Sequence, residues 1–279
     1  QLPGLEGHLP VTAGPSANSG YPLDAQWRAV RDRALKGDTE AVALLAFRES
    51  LPSSTTCCDT ITATRFLRAR KGNVALAVMM YSTCAAWRSS ERVDDVISEP
   101  TGPSEQALAA AFSPKLLNAT DKHGRPIWFI SLGEMDVSAL AKQGITLHML
   151  IRRHVRLSEQ MRIAVERSKE PLQGHLLVQD IGACSVMKFL RSRQFFKAQA
   201  QISQDYYPEL LGQLLILKGP PAAKWAVETS KKFLDKDTAS KIRLECGSSR
   251  GALLEYVSES VAEELLALLG ESTSGSSSK

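Results

Sequence analysis

The chain has 279 residues, of which 43% are hydrophobic and 23% charged, with a formal net charge of +4. This length and composition indicate a globular protein with one large or two small domains. The mild positive charge fits contact with anionic surfaces but is too weak to indicate nucleic-acid binding. No apolar run approaches the roughly 18 residues needed to span a bilayer. The five scattered cysteines include no CxxC pair, so we expect a reducing, cytoplasmic compartment and no structural metal.

The first third of the sequence is predicted to be helical after a disordered start. Residues 1–23 are rich in Gly, Pro and Ser, which is typical of a disordered lead-in. The hydrophobic periodicity that follows predicts four helices, with Gly72-Asn73 separating the last two: 24–35, 39–49, 58–71 and 74–90. The segment from Glu99 to Pro103 is interpreted as a linker.

The remainder alternates between strand and helix patterns. Three apolar runs predict buried strands: PIWFISL (126–132), HLLVQDI (175–181) and LLILK (214–218). Amphipathic helices are predicted between them, at 145–169 and at about 185–205. This alternation predicts an α/β layer with a largely parallel sheet. A further amphipathic helix is predicted at 256–269, and the polar tail after Gly270 is predicted to be disordered.

A cluster of cations lies at the end of the third predicted helix, in ATRFLRARKGNV (63–74). At helical spacing one face carries Ala63, Phe66, Leu67 and Arg70. Arg65 and Arg68 are interpreted as helix surface. A guanidinium on a core-facing stripe needs an anionic partner, because an unpaired buried charge is costly. The alternative is that Arg70 and Lys71 cap the helix C-terminus, where the dipole favours cations.

Two later segments have similar alternatives. In LDKDTASKIRL (234–244), Thr238 and Lys241 are three residues apart near a helix start, which indicates either an anion site or a solvated capping turn. In PAAKWAVETSKKFL (221–234) one sector contains Ala222, Trp225, Ala226, Thr229 and Phe233, with lysines opposite. Such a helix packs in a core, forms a lid, or lies on a membrane interface.

Signals for catalysis are weak. The sequence contains no GxxxxGK[ST] or GxGxxG motif, and no histidine is placed by a motif beside a serine nucleophile, so neither a nucleotide site nor a nucleophile with its base is predicted. The five histidines occur in unrelated contexts and are interpreted as surface or packing residues. The basic runs RRHVR (152–156) and RSRQFFK (191–197) are interpreted as solvated helix faces rather than a nucleic-acid platform.

Five segments in order resemble the Sec14-like (CRAL-TRIO) lipid-binding family: RFLRARKGNVALAVMMYSTCAAWR, DKHGRPIWFISLG, LLVQDIGACS, ISQDYYPELLGQLLILKGP and KKFLDKDTASKI. The resemblance runs from about Thr62 to Ile242. It implies an α/β CRAL-TRIO fold, in which a helical N-terminal region precedes a sheet-floored lipid pocket closed by a gate helix. It also implies the following division: a 1–23 lead-in, a 24–98 helical region, a 104–258 lipid-binding domain and a 259–279 helix end with a disordered tail.

The resemblance also implies roles for particular residues. In members that bind phosphatidylinositol, the headgroup phosphate is held by an Arg-Lys pair and by a Thr and Lys supported by a Glu. The matching positions here are Arg70, Lys71, Thr238, Lys241 and Glu209. The gate helix corresponds to the segment from Pro221, so its apolar face, with Trp225, Ala226, Thr229 and Phe233, is expected to line the closed cavity and to rest on the membrane when open.

Other positions depart from the family pattern. Where phosphatidylcholine-binding members carry tyrosines and small hydroxyl residues, the aligned positions here are Leu117, Trp128, His175 and Leu177. Trp128 could still stack against a cation, but the missing hydroxyls argue against phosphatidylcholine. The segment LKGPP before the gate is also unusual, and the closing Leu-Pro…Gly-Gly segment of the family is absent.

From this resemblance we expect a non-enzymatic, monomeric carrier of one phospholipid, most simply phosphatidylinositol, with no other cofactor. It would act in the cytoplasm and transiently on membranes, and would transfer the lipid or present it to a lipid kinase. Two alternatives stay open at this point. The pocket could carry a sterol-, squalene- or tocopherol-like ligand, or the chain could be a lipid-gated interaction module that uses its C-terminal helix.

Overall fold

The computed structural model describes residues 23–100, 102–111, 114–132, 135–221, 223–232, 234 and 236–271. Of the predicted disordered lead-in 1–23 and the tail after Gly270, residues 1–22 and 272–279 lie outside these ranges, whereas Leu23 begins the first helix. Within them, no helix combines the length and the apolar character needed to cross a membrane.

The N-terminal region consists of the four predicted helices: α1 Leu23–Leu35, α2 Thr39–Glu49, α3 Thr60–Ala69 and α4 Val74–Ser90. Three of them have an N-cap residue whose side chain accepts a hydrogen bond from a backbone N–H of the first turn: Asp38 for α2, Asp59 for α3 and Asn73 for α4. The Asp59 cap explains why α3 is shorter than predicted at its start. Their apolar faces form one cluster around Trp27, Phe47 and Phe66.

The rest of the described chain forms the α/β part: a 3₁₀ turn Val93–Asp95, α5 Pro103–Ala111, β1 Pro114–Thr120, β2 Pro126–Ser131, α6 Val137–Lys142, α7 Leu147–Glu166, a 3₁₀ turn Pro171–Gln173, β3 His175–Asp180, α8 Val186–Tyr206, β4 Leu211–Leu217, α9 Ala223–Lys231, α10 Lys236–Ser240, β5 Ile242–Leu244, α11 Ser249–Tyr256 and α12 Glu259–Leu269. The three predicted strands and the two long helices are confirmed. β1 and β5 were not predicted, and neither were α5, α6 and α11; the helix predicted at 256–269 corresponds to α12.

The strands form one five-stranded sheet in the order β1-β2-β3-β4-β5. β1 pairs antiparallel with β2, and the other neighbours are parallel, so the predicted largely parallel α/β sheet is confirmed. In register, Trp128 faces Leu177, which in turn faces Leu214. These three side chains therefore lie on one face of the sheet.

The two faces of the sheet have different partners. Ile127, Phe129, Leu176, Val178, Leu215 and Leu217 pack with α11 and α12 in one buried cluster. On the opposite face, Trp128 and Ile130 pack against α7 and α8 in another. Because both faces are covered, the strands appear in the sequence as continuous apolar runs. The end predicted for the lipid-binding domain, residue 258, falls within the cluster formed with α11 and α12. Helix α12, which lies beyond that residue, contributes Ala262, Leu265, Leu266 and Leu269 to this cluster.

The N-terminal helices are fixed to the α/β part by buried polar and aromatic contacts. Arg88 of α4 pairs with Glu159 of α7 at 2.7 Å, and Glu159 also lies 2.9 Å from Arg162. Trp87 stacks on Tyr206 with 3.9 Å between ring centroids. A carboxylate that is only 3% exposed requires such partners, because burying it alone would be costly.

The interpretation of Arg65 as helix surface is wrong. Its side chain is 5% exposed and lies 3.8 Å from Glu166. It donates a hydrogen bond of 2.9 Å to the carbonyl of Pro171. The physical reason is that α3 packs against the end of α7 and the 3₁₀ turn that follows it. A position that would face solvent on an isolated helix is therefore buried where these elements meet. Arg68 is exposed as predicted and pairs with Glu40 at 3.0 Å.

Candidate functional site

A cavity of ≈ 570 Å³ lies between the sheet and the helices that cross it. Its lining residues come from strands β2, β3 and β4, from the long helices α7 and α8, and from α9 and α10. Much of the lining is apolar: Ile130, Leu157, Met161, Leu177, Phe196, Leu214, Ile216 and Val227. This volume and lining are typical of a site for a small, mostly apolar molecule.

Arg70 and Lys71 reach this cavity from the turn after α3. Helix α3 ends at Ala69, and Arg70 is its C-cap with φ −117°. Lys71 and Gly72 are both left-handed, with φ 53° and 80°. The turn, rather than the helix face inferred from spacing, therefore sets the direction of Arg70. Arg70 Nη1 donates a 2.9 Å hydrogen bond to the carbonyl of Ala69. Arg70 therefore caps the C-terminus of the helix, and it also lines the cavity.

The second half of the predicted grip lines the same cavity. Glu209 lies in the turn between α8 and β4, Thr238 lies in α10, and Lys241 follows directly. Lys241 Nζ lies 2.9 Å from Glu209 Oε2. Glu209 has φ 55°, a left-handed conformation uncommon for a non-glycine residue. The fold thus brings all five predicted headgroup residues to one cavity, although they come from three distant parts of the chain.

Charged residues of both signs line the cavity: the acidic Asp205, Glu209 and Asp237, and the basic Arg70, Lys71, Lys236 and Lys241. Lys241 is paired with Glu209. Arg70 and Lys71, by contrast, have no ion pair with any residue that the structure describes. Arg70 is half-buried and Lys71 is exposed. Arg70 and Lys71, with the Thr238 hydroxyl and Lys241 lining the same cavity, are side chains of the kind that bind phosphate, since arginine binds phosphate through a pair of hydrogen bonds.

The predicted gate requires corrections. Helix α9 lines the cavity through Ala223 and Val227. Trp225 is 66% exposed, and Thr229 is half-buried but is not among the residues that line the cavity. The prediction that Trp225 lines the closed cavity is therefore wrong. The smaller residues of the helix face inward, and the indole faces solvent. The side chain of Ala226 and the whole of Phe233 lie outside the described residues.

Trp128 does not reach the cavity wall either. It is 5% exposed and packs in the core cluster between the sheet and α7, while Ile130 of β2 and Leu132 just after the strand line the cavity. Its Nε1 is buried without a hydrogen-bond partner. Stacking of Trp128 against a bound cation is thus not supported by its position.

The sequence analysis missed a polar group in the cavity wall. His154 of α7 and His175 of β3 both line the cavity and are 7% and 4% exposed. Burial lowers the pKa of each imidazole from 6.5 to about 4, so both rings are neutral at pH 7. The signal for His154 was present: it lies on the same helical face as Leu150, Leu157 and Met161.

Comparison with known proteins identifies the family to which this chain belongs. The model of the CRAL/TRIO domain family matches residues 114–266. The SEC14 cytosolic factor of Candida glabrata is 30% identical over 255 residues, which cover 90% of this chain and 78% of the relative. The Sec14 cytosolic factor of Schizosaccharomyces pombe is 29% identical over 216 residues, 76% of this chain and 74% of the relative.

Two further proteins are similar. The phosphatidylinositol/phosphatidylcholine transfer protein SFH9 of Arabidopsis thaliana is 29% identical over 242 residues, which cover 83% of this chain and 42% of that protein. The crystal structure of Sfh5 aligns with a TM-score of 0.58 at 18% identity and covers 81% of this chain and 82% of that one, a likeness of fold. The match of the domain model over 114–266 and the relatives at about 30% identity agree with the cavity and its sheet: the chain is a Sec14-like member of the CRAL-TRIO family.

Proposed function

We propose that this protein binds one phosphatidylinositol molecule in the cavity and transfers it between membranes without catalysing a reaction. The observation that supports this most directly is the pair of unpaired cations, Arg70 and Lys71, at a cavity that also presents Thr238 and the Lys241–Glu209 pair. The incoming phosphate would supply the missing counter-ion. The name of the Arabidopsis relative includes phosphatidylinositol transfer.

The apolar walls account for the acyl chains. Each methylene that leaves water contributes about 0.8 kcal/mol, so a dry cavity and a bilayer are comparable solvents for the same chain. Extraction of a lipid then needs little net free energy, provided that the headgroup regains the polar contacts it loses at the membrane. The cationic cluster is placed to supply them. By family analogy we also propose that the loaded protein presents its lipid to a lipid kinase.

Removing the phosphate contacts should abolish transfer without unfolding the protein. We expect Arg70→Ala/Lys241→Ala to lower vesicle-to-vesicle transfer of phosphatidylinositol about tenfold or more, because each charge-assisted hydrogen bond contributes about 1.5–3 kcal/mol. The matched control is Arg68→Ala/Lys36→Ala, which removes the same charge from exposed sites outside the cavity lining. It should transfer as the parent protein does.

The lipid that copurifies with the protein decides between the candidate ligands. Inositol phospholipid extracted from the parent protein and absent from the double variant would support the proposal. A parent protein that carries a sterol or another apolar molecule, and no inositol phospholipid, would refute it. In that case the Lys241–Glu209 pair would be a closed ion pair at the cavity end rather than half of a phosphate grip.

The exposed face of α9 is the proposed contact with the membrane. Trp225 is 66% exposed, its neighbour Lys224 is exposed, and Lys232 is exposed just beyond the helix, whereas Lys231 is paired with Glu228 at 2.9 Å. An exposed indole flanked by lysines is typical of a segment that lies on an anionic interface.

We expect Trp225→Ala/Lys224→Gln to lower the affinity for anionic vesicles about fivefold or more, since one cation near such a surface contributes about 1 kcal/mol. Lipid loading in detergent should be unchanged, because neither side chain lines the cavity. The control is Met79→Ala/Lys36→Gln, which alters an exposed apolar residue and a lysine elsewhere. Equal vesicle binding by both double variants would contradict this docking surface.

A further inference from the structure

A buried arginine joins helix α3 to the α/β part of the protein. Arg65 is 5% exposed; its Nη2 donates a 2.9 Å hydrogen bond to the Pro171 carbonyl, and its Nη1 lies 3.8 Å from Glu166. The apolar side chains of α3, such as Phe66 and Leu67, pack into the cluster of the N-terminal helices. Among the described residues, the hydrogen bonds and ion pairs between α3 and the α/β part are those of Arg65.

The turn that presents Arg70 and Lys71 to the cavity is bonded to the last turn of α3. The Lys71 N–H donates to the Arg68 carbonyl at 2.9 Å, and the Gly72 N–H donates to the Leu67 carbonyl at 2.8 Å. These bonds make the turn move with the helix. The way α3 docks on the α/β part therefore sets where the two cations lie at the cavity.

The carbonyl at the other end of this contact is fixed against the second half of the headgroup site. Pro171 begins the 3₁₀ turn that leads through Gly174 into β3. Gly174 has φ 69°, and a Cβ there would lie 2.5 Å from the Leu210 carbonyl oxygen, to which the His175 N–H donates at 3.0 Å. Leu210 directly follows Glu209. A close backbone contact thus ties the acceptor turn to the segment that carries Glu209.

The bonding of Arg65 is poorly suited to a purely stabilising role. Its Nε is buried without a hydrogen-bond partner among the described residues. Its carboxylate neighbour Glu166 already has a closer partner, Arg162 at 2.7 Å. A buried ion pair of this kind adds little stability, because the lost hydration offsets the attraction. What the planar guanidinium does supply is a contact of fixed direction between two parts of the fold.

We propose that Arg65 is a positioning residue for the headgroup site: it holds the Arg70–Lys71 turn in register with the segment that carries Glu209, so that both halves of the site contact one phosphate. This inference rests on the proposed function. Arg65 itself does not line the cavity. It should therefore affect the preference for a lipid that has a phosphate, and not the capacity of the apolar cavity for lipid.

The test is competitive loading from vesicles that contain equal amounts of phosphatidylinositol and diacylglycerol with the same acyl chains. The lipid extracted from the protein is quantified by mass spectrometry, which gives a loading ratio. The variant is Arg65→Met, in which Glu166 keeps its partner Arg162. The matched control is Arg88→Met, which removes a 12% exposed arginine that joins α4 to Glu159 across the same interface.

We expect Arg65→Met to lower the ratio of phosphatidylinositol to diacylglycerol about tenfold, because displaced cations lose charge-assisted hydrogen bonds to the phosphate. The amount of diacylglycerol loaded from vesicles without phosphatidylinositol should stay parental, and Arg88→Met should keep the parental ratio. Arg65→Lys restores a cation but cannot contact the carbonyl and the carboxylate together, so the ratio should fall only about threefold.

A double-mutant cycle separates positioning from a direct effect. If Arg65 acts through the turn, Arg65→Met should cause no further loss in a protein that already carries Arg70→Ala/Lys71→Ala. An equal loss in that background, or an equal loss in Arg88→Met, overturns the inference.

The parent protein distinguishes failure of the inference from failure of the proposed function. A parent protein without preference for phosphatidylinositol refutes the proposed function, and the inference falls with it. A parental preference that Arg65→Met retains overturns the inference alone. If urea unfolding shows that Arg65→Met does not fold, Arg65→Lys decides: a lowered ratio supports the inference, and a parental ratio overturns it.

Discussion

Removal of residues 259–279 is expected to unfold the α/β part of this protein. Helix α12 contributes Ala262, Leu265, Leu266 and Leu269 to the cluster behind the sheet, each at most 3% exposed. Truncating one such leucine to alanine costs about 2–5 kcal/mol. The free energy lost with the whole helix should therefore be comparable to the total stability of an ordinary domain, about 5–15 kcal/mol. The truncated protein should be unfolded or only marginally stable.

The experiment is urea unfolding followed by circular dichroism. We expect the 259–279 truncation to lack a cooperative transition and to be digested rapidly by protease, and Leu266→Ala to lower the free energy of unfolding by about 2–5 kcal/mol. Glu264→Ala is the matched control on the same helix, because its side chain is 43% exposed and its pair with Lys115 lies at the surface. Deleting residues 272–279 alone should change little.

This prediction also separates two views of the C-terminus. If α12 served mainly to recruit a partner, its removal would leave a folded protein that still transfers lipid. The structure instead places the apolar face of α12 against the sheet, and Lys218 Nζ donates to the carbonyl of Leu269 at 2.8 Å. A truncated protein with parental stability and transfer would contradict the packing role.

The elements that could be predicted from the sequence are those whose burial leaves a local pattern. The runs PIWFISL, HLLVQDI and LLILK are strands covered on both faces, so they contain few polar residues. β1 and β5 lie at the sheet edges. Only Leu117 of β1 is buried, and all three residues of β5 are half-buried, so no such pattern marks them. Their strand state depends on pairing with distant residues.

The residues of the site also fall into those that the sequence identifies and those that depend on contacts between distant parts of the chain. The residues predicted to bind a headgroup were chosen from motifs, and the fold does bring them to one cavity. Arg65 was misjudged because its hydrogen-bond acceptor, Pro171, is 106 residues away in the sequence. Trp225 was misjudged because periodicity defines a stripe on a helix but does not say which side of the helix meets the sheet. The contacts of His154 with Gln199 and Ser203 could not be predicted because they depend on how α7 and α8 pack.

Acidification from pH 7 to pH 5 is expected to destabilise the protein by about 2 kcal/mol for each of the two buried imidazoles. Both have a pKa of about 4 in the folded state, lowered from 6.5 by burial; Arg125 and Arg65 lower that of His175 further. The unfolded chain therefore binds protons that the folded state rejects. This contribution to stability is fully present above pH 6.5 and is lost as the pH falls towards 4.

Urea unfolding between pH 7 and pH 5 measures this effect. Buried carboxylates such as Glu159 stay ionised in this range, because Arg162 and Arg88 lower the pKa of Glu159 against the opposing effect of burial. We expect His154→Phe and His175→Leu each to remove about half of the pH dependence, whatever they do to stability at pH 7. Replacing the exposed His148 by Gln should leave it intact. A parental protein whose unfolding free energy is the same at both pH values would mean that the imidazoles are solvated or charged in the folded state.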